Sequence, residues 1–180
     1  MAPSVLAKRL TSLPAKYYEL IGEVMFHWAL NDAQIAEMIG IFLGMAPKEQ
    51  RLLVGRLDEK QKIMMLRFLA ERAMRPRDPI RKALTGMCKL NMEMADRRHQ
   101  FAHSPWVKIP GAQLPAILDM GSVTKRYFPN AQIMTDEKIL DSLLTFRMLT
   151  ENGQMILEAL KTQFLKQPEE SPAQPHPQMK

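Results

Sequence analysis

Cysteine is nearly absent from this chain: Cys88 stands alone among 180 residues. A single thiol makes neither an intramolecular disulfide nor a cysteine-held zinc site, so a reducing, cytoplasmic setting is the simplest expectation. There is no Gly-rich phosphate loop and no Gly-x-Ser-x-Gly nucleophile turn. Long apolar runs are missing too. The most apolar window, Val24 to Leu43, contains His27, Asp32 and Glu37, which reads as a core helix rather than a membrane span. Near the N-terminus Lys8 and Arg9 are followed by Thr11, Ser12 and Pro14, not by the apolar stretch of a secretory signal. Metal-ligand spacing is also lacking. Glu23 and His27 are one helical turn apart, but nothing completes a ligand set around them, so no metal or cofactor is expected.

What is present suits a helical domain with a real core. Apolar residues make up 46% of the chain, enough to exclude wholesale disorder, and the 15 methionines fit as gap fillers between helices. The net charge of +6 favours an anionic partner such as nucleic acid, although an excess of this size also suits a solvated basic surface.

Residues 1–14 read as a leader closed by Pro14. From Ala15 to Gly44 a helical pattern carries polar residues at Glu19, Glu23, His27, Asn31, Gln34 and Glu37, steps of three and four that form one narrow stripe. A helix apolar on most of its circumference needs several neighbours. Lys48 to Met74 continues the helical pattern in two pieces, broken near Gly55, with Asp58 placed to cap the second. A basic linker follows, with Arg72, Arg75, Arg77, Arg81 and Lys82 interrupted by Pro76. It reads as solvated charge or as a phosphate-facing ridge. Asp78-Pro79 starts another helix, and Pro105 disfavours helical geometry at Ser104, which sets its end near His103. Prolines and glycines punctuate 106–134, an irregular excursion or a small hairpin with Ser122–Phe128 as one strand. Thr135 then starts a last helix that runs to about Leu165, with Gly153 a weak point in it. Residues 167–180, with four prolines and no apolar periodicity, read as a disordered tail. The fold expected is all-α: an up-down bundle of four to six helices over residues 15–166, with an irregular insertion before the last helix.

One stretch looks like a site: Asp96-Arg97-Arg98-His99-Gln100-Phe101-Ala102-His103-Ser104-Pro105-Trp106. A guanidinium is permanently charged and fork-shaped, and an imidazole is the side chain suited to moving protons near neutral pH. Together they suit a phosphodiester, one holding the phosphate charge and the other moving its proton. The spacing alone also allows Arg98 to pair with an acid such as Asp96 or Glu93 while His103 caps the helix end.

The run from Arg98 to Trp106 resembles the motif of HEPN-domain proteins (higher eukaryotes and prokaryotes nucleotide-binding). There an arginine is followed by a polar residue, usually asparagine, and after four to six residues by a histidine, often with a small residue and an aromatic next. The helices from about Tyr17 to His103 and the last helix are similar to that superfamily's bundle. The resemblance implies a metal-independent endoribonuclease acting as a homodimer, of the kind found in toxin–antitoxin and phage-defence systems, with RNA or a nucleotide as ligand and an antitoxin protein as a possible partner. It implies that Arg98 holds the scissile phosphate, that His103 is the general acid or base, and that His99 orients Arg98 or the phosphate. Arg97 satisfies the looser spacing and could contribute to substrate binding, and Glu23 and His27 could line the same cleft. Many members have lost catalysis, so a non-catalytic module binding RNA, nucleotide or a protein is the alternative. Two departures stand out. His99 replaces the usual asparagine, and Pro105 stands where some members carry a modified tyrosine.

Overall fold

In a computed structural model of the chain, residues 8–9, 12–108, 113–118 and 131–165 are described. Five helices dominate: α1 (Ala15–Leu43), α2 (Pro47–Leu53), α3 (Glu59–Ala73), α4 (Pro79–His103) and α5 (Asp136–Phe164). The protein is an all-α bundle, as its apolar periodicity predicts.

The helix ends lie where local chemistry sets them. Gly44 closes α1 in the left-handed region at φ 62°, where a side chain would be strained, and its N–H donates to the Ile41 carbonyl at 3.2 Å. The break near Gly55 is a single 3-10 turn, Val54–Arg56. Asp58 then caps α3, accepting from the Gln61 N–H at 2.8 Å while the Gln61 side chain accepts from the Asp58 N–H at 3.0 Å. Asp78 caps α4 by accepting from the Ile80 N–H at 2.8 Å, and Thr135 caps α5 by accepting from the Lys138 N–H at 3.2 Å.

Cross-helix pairs give the directions. Lys16 meets Asp136, Glu23 meets Arg147 and Glu37 meets Lys161, so α1 and α5 lie parallel along most of their length. Arg97 on α4 reaches Asp141 and Ser142 on α5, and Lys60 on α3 reaches Asp96, which makes α4 antiparallel to both neighbours. The short α2 brings the chain back from the end of α1, and the path is up-down throughout. Tyr17, Val24, Trp28, Met38 and Ile39 of α1, Leu66 of α3, Leu84 of α4, and Ile139, Phe146, Leu157 and Leu160 of α5 form the core. Trp28 and Phe146 meet edge-on with ring centroids 5.5 Å apart. Gly153 is buried inside an unbroken α5, where the Gln34 carboxamide occupies the space a side chain would take.

The excursion before α5 is a small antiparallel sheet, β1 (Lys8–Arg9), β2 (Trp106–Lys108), β3 (Ala116–Leu118) and β4 (Ala131–Ile133), in that order. Strand β1 comes from the leader, which pairs with residues a hundred positions away. The strand expected at Ser122–Phe128 and the tail at 167–180 lie outside the described residues. Val107, Ala116 and Ile117 are buried, and Trp106 stacks edge-on against Tyr17 at 5.8 Å. The sheet therefore closes the end of the bundle where α4 finishes and α5 begins. No helix among the described residues is long and apolar enough to cross a membrane.

Candidate functional site

Helix α4 continues past its neighbour. Lys60, in the first turn of α3, pairs with Asp96, so the next two turns of α4 extend beyond the start of α3. His99 and His103 lie on this overhang, four residues apart and hence on one face. Both are exposed, and their rings are 4.9 Å apart between centroids at an interplanar angle of 52°. The side-chain atoms of neither histidine make a hydrogen bond to another described residue.

The two arginines turn away from this pair in different directions. Arg97 Nη1 donates to the Ser142 hydroxyl at 3.2 Å and lies 3.5 Å from the Asp141 carboxylate. Arg98 is half-buried and faces Glu59, at the start of α3. Its Nε and the Glu59 Oε1 are both sealed from solvent without a described hydrogen-bond partner. Burial holds the Glu59 carboxyl above its ordinary pKa, the positive charge of Arg98 works against that shift, Asp32 adds to it, and Lys60 and Lys62 oppose it. Neither Asp96 nor Glu93 takes Arg98, since Asp96 is paired with Lys60.

Glu23 and His27 sit on the seam between α1 and α5. The Glu23 carboxylate pairs with Arg147, and Thr150 Oγ1 donates to the His27 backbone carbonyl at 3.1 Å. No described hydrogen bond or ion pair joins either residue to His99 or His103. Further along the same stripe, Asn31 donates to Asn91 of α4 and both are fully buried. The stripe of α1 is thus largely a helix-packing seam, in which the His27 Nδ1 is sealed without a described partner. The basic linker is local as well: Arg72 lies over the Phe68 ring and Arg81 donates to the Met74 carbonyl at 3.0 Å.

Beside Arg97 lies a groove of about 330 Å³ between the end of α4 and the start of α5. Arg97, Gln100, Lys138, Asp141 and Ser142 form its walls, and the buried Phe101 and Met134 contribute to its floor. A second groove of about 400 Å³ lies further along the same two helices. It is lined by groups such as Ala83, Leu90, Leu149 and Met155 and holds no titratable side chain. Lys138, Asp141 and Glu59 were not legible as site residues. Their neighbours in sequence are ordinary helix-start acids and bases, and only the antiparallel register of α4 with α3 and α5 brings them to the motif.

No group of three or more potential metal ligands occurs among the described residues. Cys88 is buried in the core, and burial pushes its thiol up to about 12, far from the thiolate a nucleophile needs. The overhang thus sets two adjacent imidazoles on one exposed face, with the Arg97 and Arg98 guanidiniums turned to other flanks of α4. No protein-family model, curated protein or solved structure matches this chain.

Proposed function

We propose that this protein is a metal-independent endoribonuclease of HEPN type that acts as a homodimer. The observation that carries the reading is the exposed His99–His103 pair, with ring centroids 4.9 Å apart on the uncovered flank of the last turns of α4. One imidazole accepts the proton of a ribose 2′-hydroxyl as the resulting oxygen attacks the adjacent phosphorus. The other donates a proton to the departing 5′-oxygen. The P–O bond to that oxygen breaks, leaving a 2′,3′-cyclic phosphate and a 5′-hydroxyl, with no external oxidant, metal or water consumed in the step. His103 is the group of the resemblance's acid–base slot, and His99 gives it a second titratable partner in place of the usual asparagine. The resemblance gives Arg98 the task of offsetting charge on the phosphate oxygens, which requires its guanidinium to leave Glu59 when RNA binds. Dimerisation, taken from the resemblance, would set two α4 ends against one RNA strand. A role in toxin–antitoxin or phage defence belongs to the same reading.

A second reading is favoured by Arg98 itself. A half-buried guanidinium facing Glu59 is poorly placed to grip a phosphate, which suits a non-catalytic module that binds RNA, nucleotide or a protein. The test is incubation of the purified protein with mixed-sequence RNA in EDTA, beside His103→Ala and Arg98→Ala. Cleavage that survives chelation and disappears in both variants supports the ribonuclease. Binding without cleavage in all three supports the module.

A further inference from the structure

We infer that the groove between the end of α4 and the start of α5 holds a nucleotide of the RNA strand a few positions along from the one at His99 and His103. The inference rests on the RNA reading above and adds where the strand runs.

The position follows from helix geometry. Successive residues turn about 100° around an α-helix, so Arg97 and His99, two residues apart, are about 200° apart on α4. Arg97 therefore points to α5 while the histidines point to the opposite flank. With side chains a helix is roughly 10–12 Å across, so a single strand crossing α4 reaches both flanks within a few nucleotides. Gln100 lies between them and forms part of the groove wall.

The size and chemistry fit the same ligand. About 330 Å³ lies at the small end of ligand pockets, the size of one nucleotide rather than an extended polymer. Arg97 and Lys138 bring two cations to the rim. Arg97 is half exposed although it touches Asp141 and Ser142. The one described hydrogen bond of the Lys138 ammonium is to the Ile133 carbonyl, at 3.1 Å, which leaves donor capacity for a phosphate. Gln100 adds a neutral hydrogen-bonding group and Phe101 gives the floor an apolar surface, while the buried Ser142 hydroxyl is already held between Arg97 and the Lys138 carbonyl. Asp141 is the one carboxylate in the groove, and it lies 3.5 Å from the Arg97 guanidinium. It is a competitor for the cation that a phosphate would take.

That competition makes the test sharp, because substitutions on opposite sides of the groove have opposite signs. The measurement is anisotropy of a fluorescein-labelled mixed-sequence single-stranded RNA of about 12 nucleotides. It is made over a range of salt, with full-length protein carrying His103→Ala so that the RNA stays whole. Arg97→Gln and Lys138→Gln should each weaken binding by about three- to tenfold and make the log–log salt slope shallower by about 0.7, the value of one phosphate contact on a single strand. Asp141→Asn should tighten binding by about two- to threefold, by releasing Arg97. Lys138→Gln loses only one exposed contact, so it keeps the test valid should Arg97→Gln unfold the protein. Unchanged affinity and slope in Lys138→Gln, weaker binding in Asp141→Asn, or no RNA binding at all would overturn the inference. The two readings separate in the wild type. If it cleaves RNA with a KM that Lys138→Gln leaves unchanged, the groove fails and the ribonuclease stands. If it never cleaves but binds through Arg97 and Lys138, the groove stands and the ribonuclease fails.

Discussion

On α1, Glu23, His27, Asn31, Gln34 and Glu37 recur in steps of three and four, and neighbouring helices take up all of these side chains except the His27 imidazole, whose Nδ1 is sealed without a described partner. Glu23 meets Arg147, the His27 carbonyl accepts from Thr150, Asn31 bonds Asn91, Gln34 donates to the Thr150 carbonyl, and Glu37 meets Lys161. On α4, His99 and His103 recur at the same step, yet they extend beyond α3 and remain exposed. Both stripes carry histidine and both lie on long amphipathic helices. The difference is whether a neighbouring helix covers that flank at that level of the bundle. A polar group satisfied by another helix contributes to specifying the packing, whereas one at an overhang is available to a ligand.

The comparison can be broken at several points. The largest effect belongs to the overhang: His103→Ala should lower RNA cleavage by about 10²–10⁴-fold with little change in the thermal midpoint, as expected for loss of a general acid or base. Gel assays alongside thermal melts would read both, and full activity in the variant would remove the overhang from the chemistry. Next comes the sealed part of the α1 stripe. Asn91→Ala removes the acceptor of the Asn31 amide and should cost about 1–3 kcal/mol of stability in urea unfolding, with cleavage per folded molecule unchanged.

Smaller still is Glu23→Ala. Its ion pair with Arg147 is about half exposed, so the loss should be at most about 1 kcal/mol, again with unchanged cleavage. A Glu23 variant that folds normally and cleaves poorly would place α1 in the site and undo the contrast between the two stripes. The last effect is one of pH. Because the Glu59 carboxyl titrates above its ordinary range, the native state holds that proton where the unfolded chain has released it, and this contribution to stability falls as pH rises through that window. Glu59→Gln should remove the fall. The variant should gain on the wild type at neutral pH and lose that advantage in acid, as read from unfolding midpoints across pH.

Much of the bundle was legible from local signals. Asp58, Asp78-Pro79, Thr135 and Gly44 each act on backbone groups within a few residues, so their positions mark helix ends directly. The motif's place at the end of α4 followed from Pro105 in the same way. The sheet was less legible because strands of two or three residues carry almost no periodicity, and β1 pairs with β2 across a separation of a hundred residues. The environment of Glu23 and His27 was hidden for a related reason. Four steps on a helix put both on one face, but which helix covers that face depends on α5 lying parallel to α1. The opposite turns of Arg97 and Arg98 likewise depend on α4 being flanked by α5 and α3, which no spacing within α4 reveals.

The most direct test of the claim that the α4 overhang is a proton-transfer site for RNA is identification of product ends after digestion in EDTA, by mass spectrometry of a defined oligoribonucleotide. The account predicts 2′,3′-cyclic phosphate and 5′-hydroxyl ends from the wild type and intact RNA from His103→Ala. Products ending in 3′-hydroxyl and 5′-phosphate, or the same cleavage in the His103 variant, would contradict it.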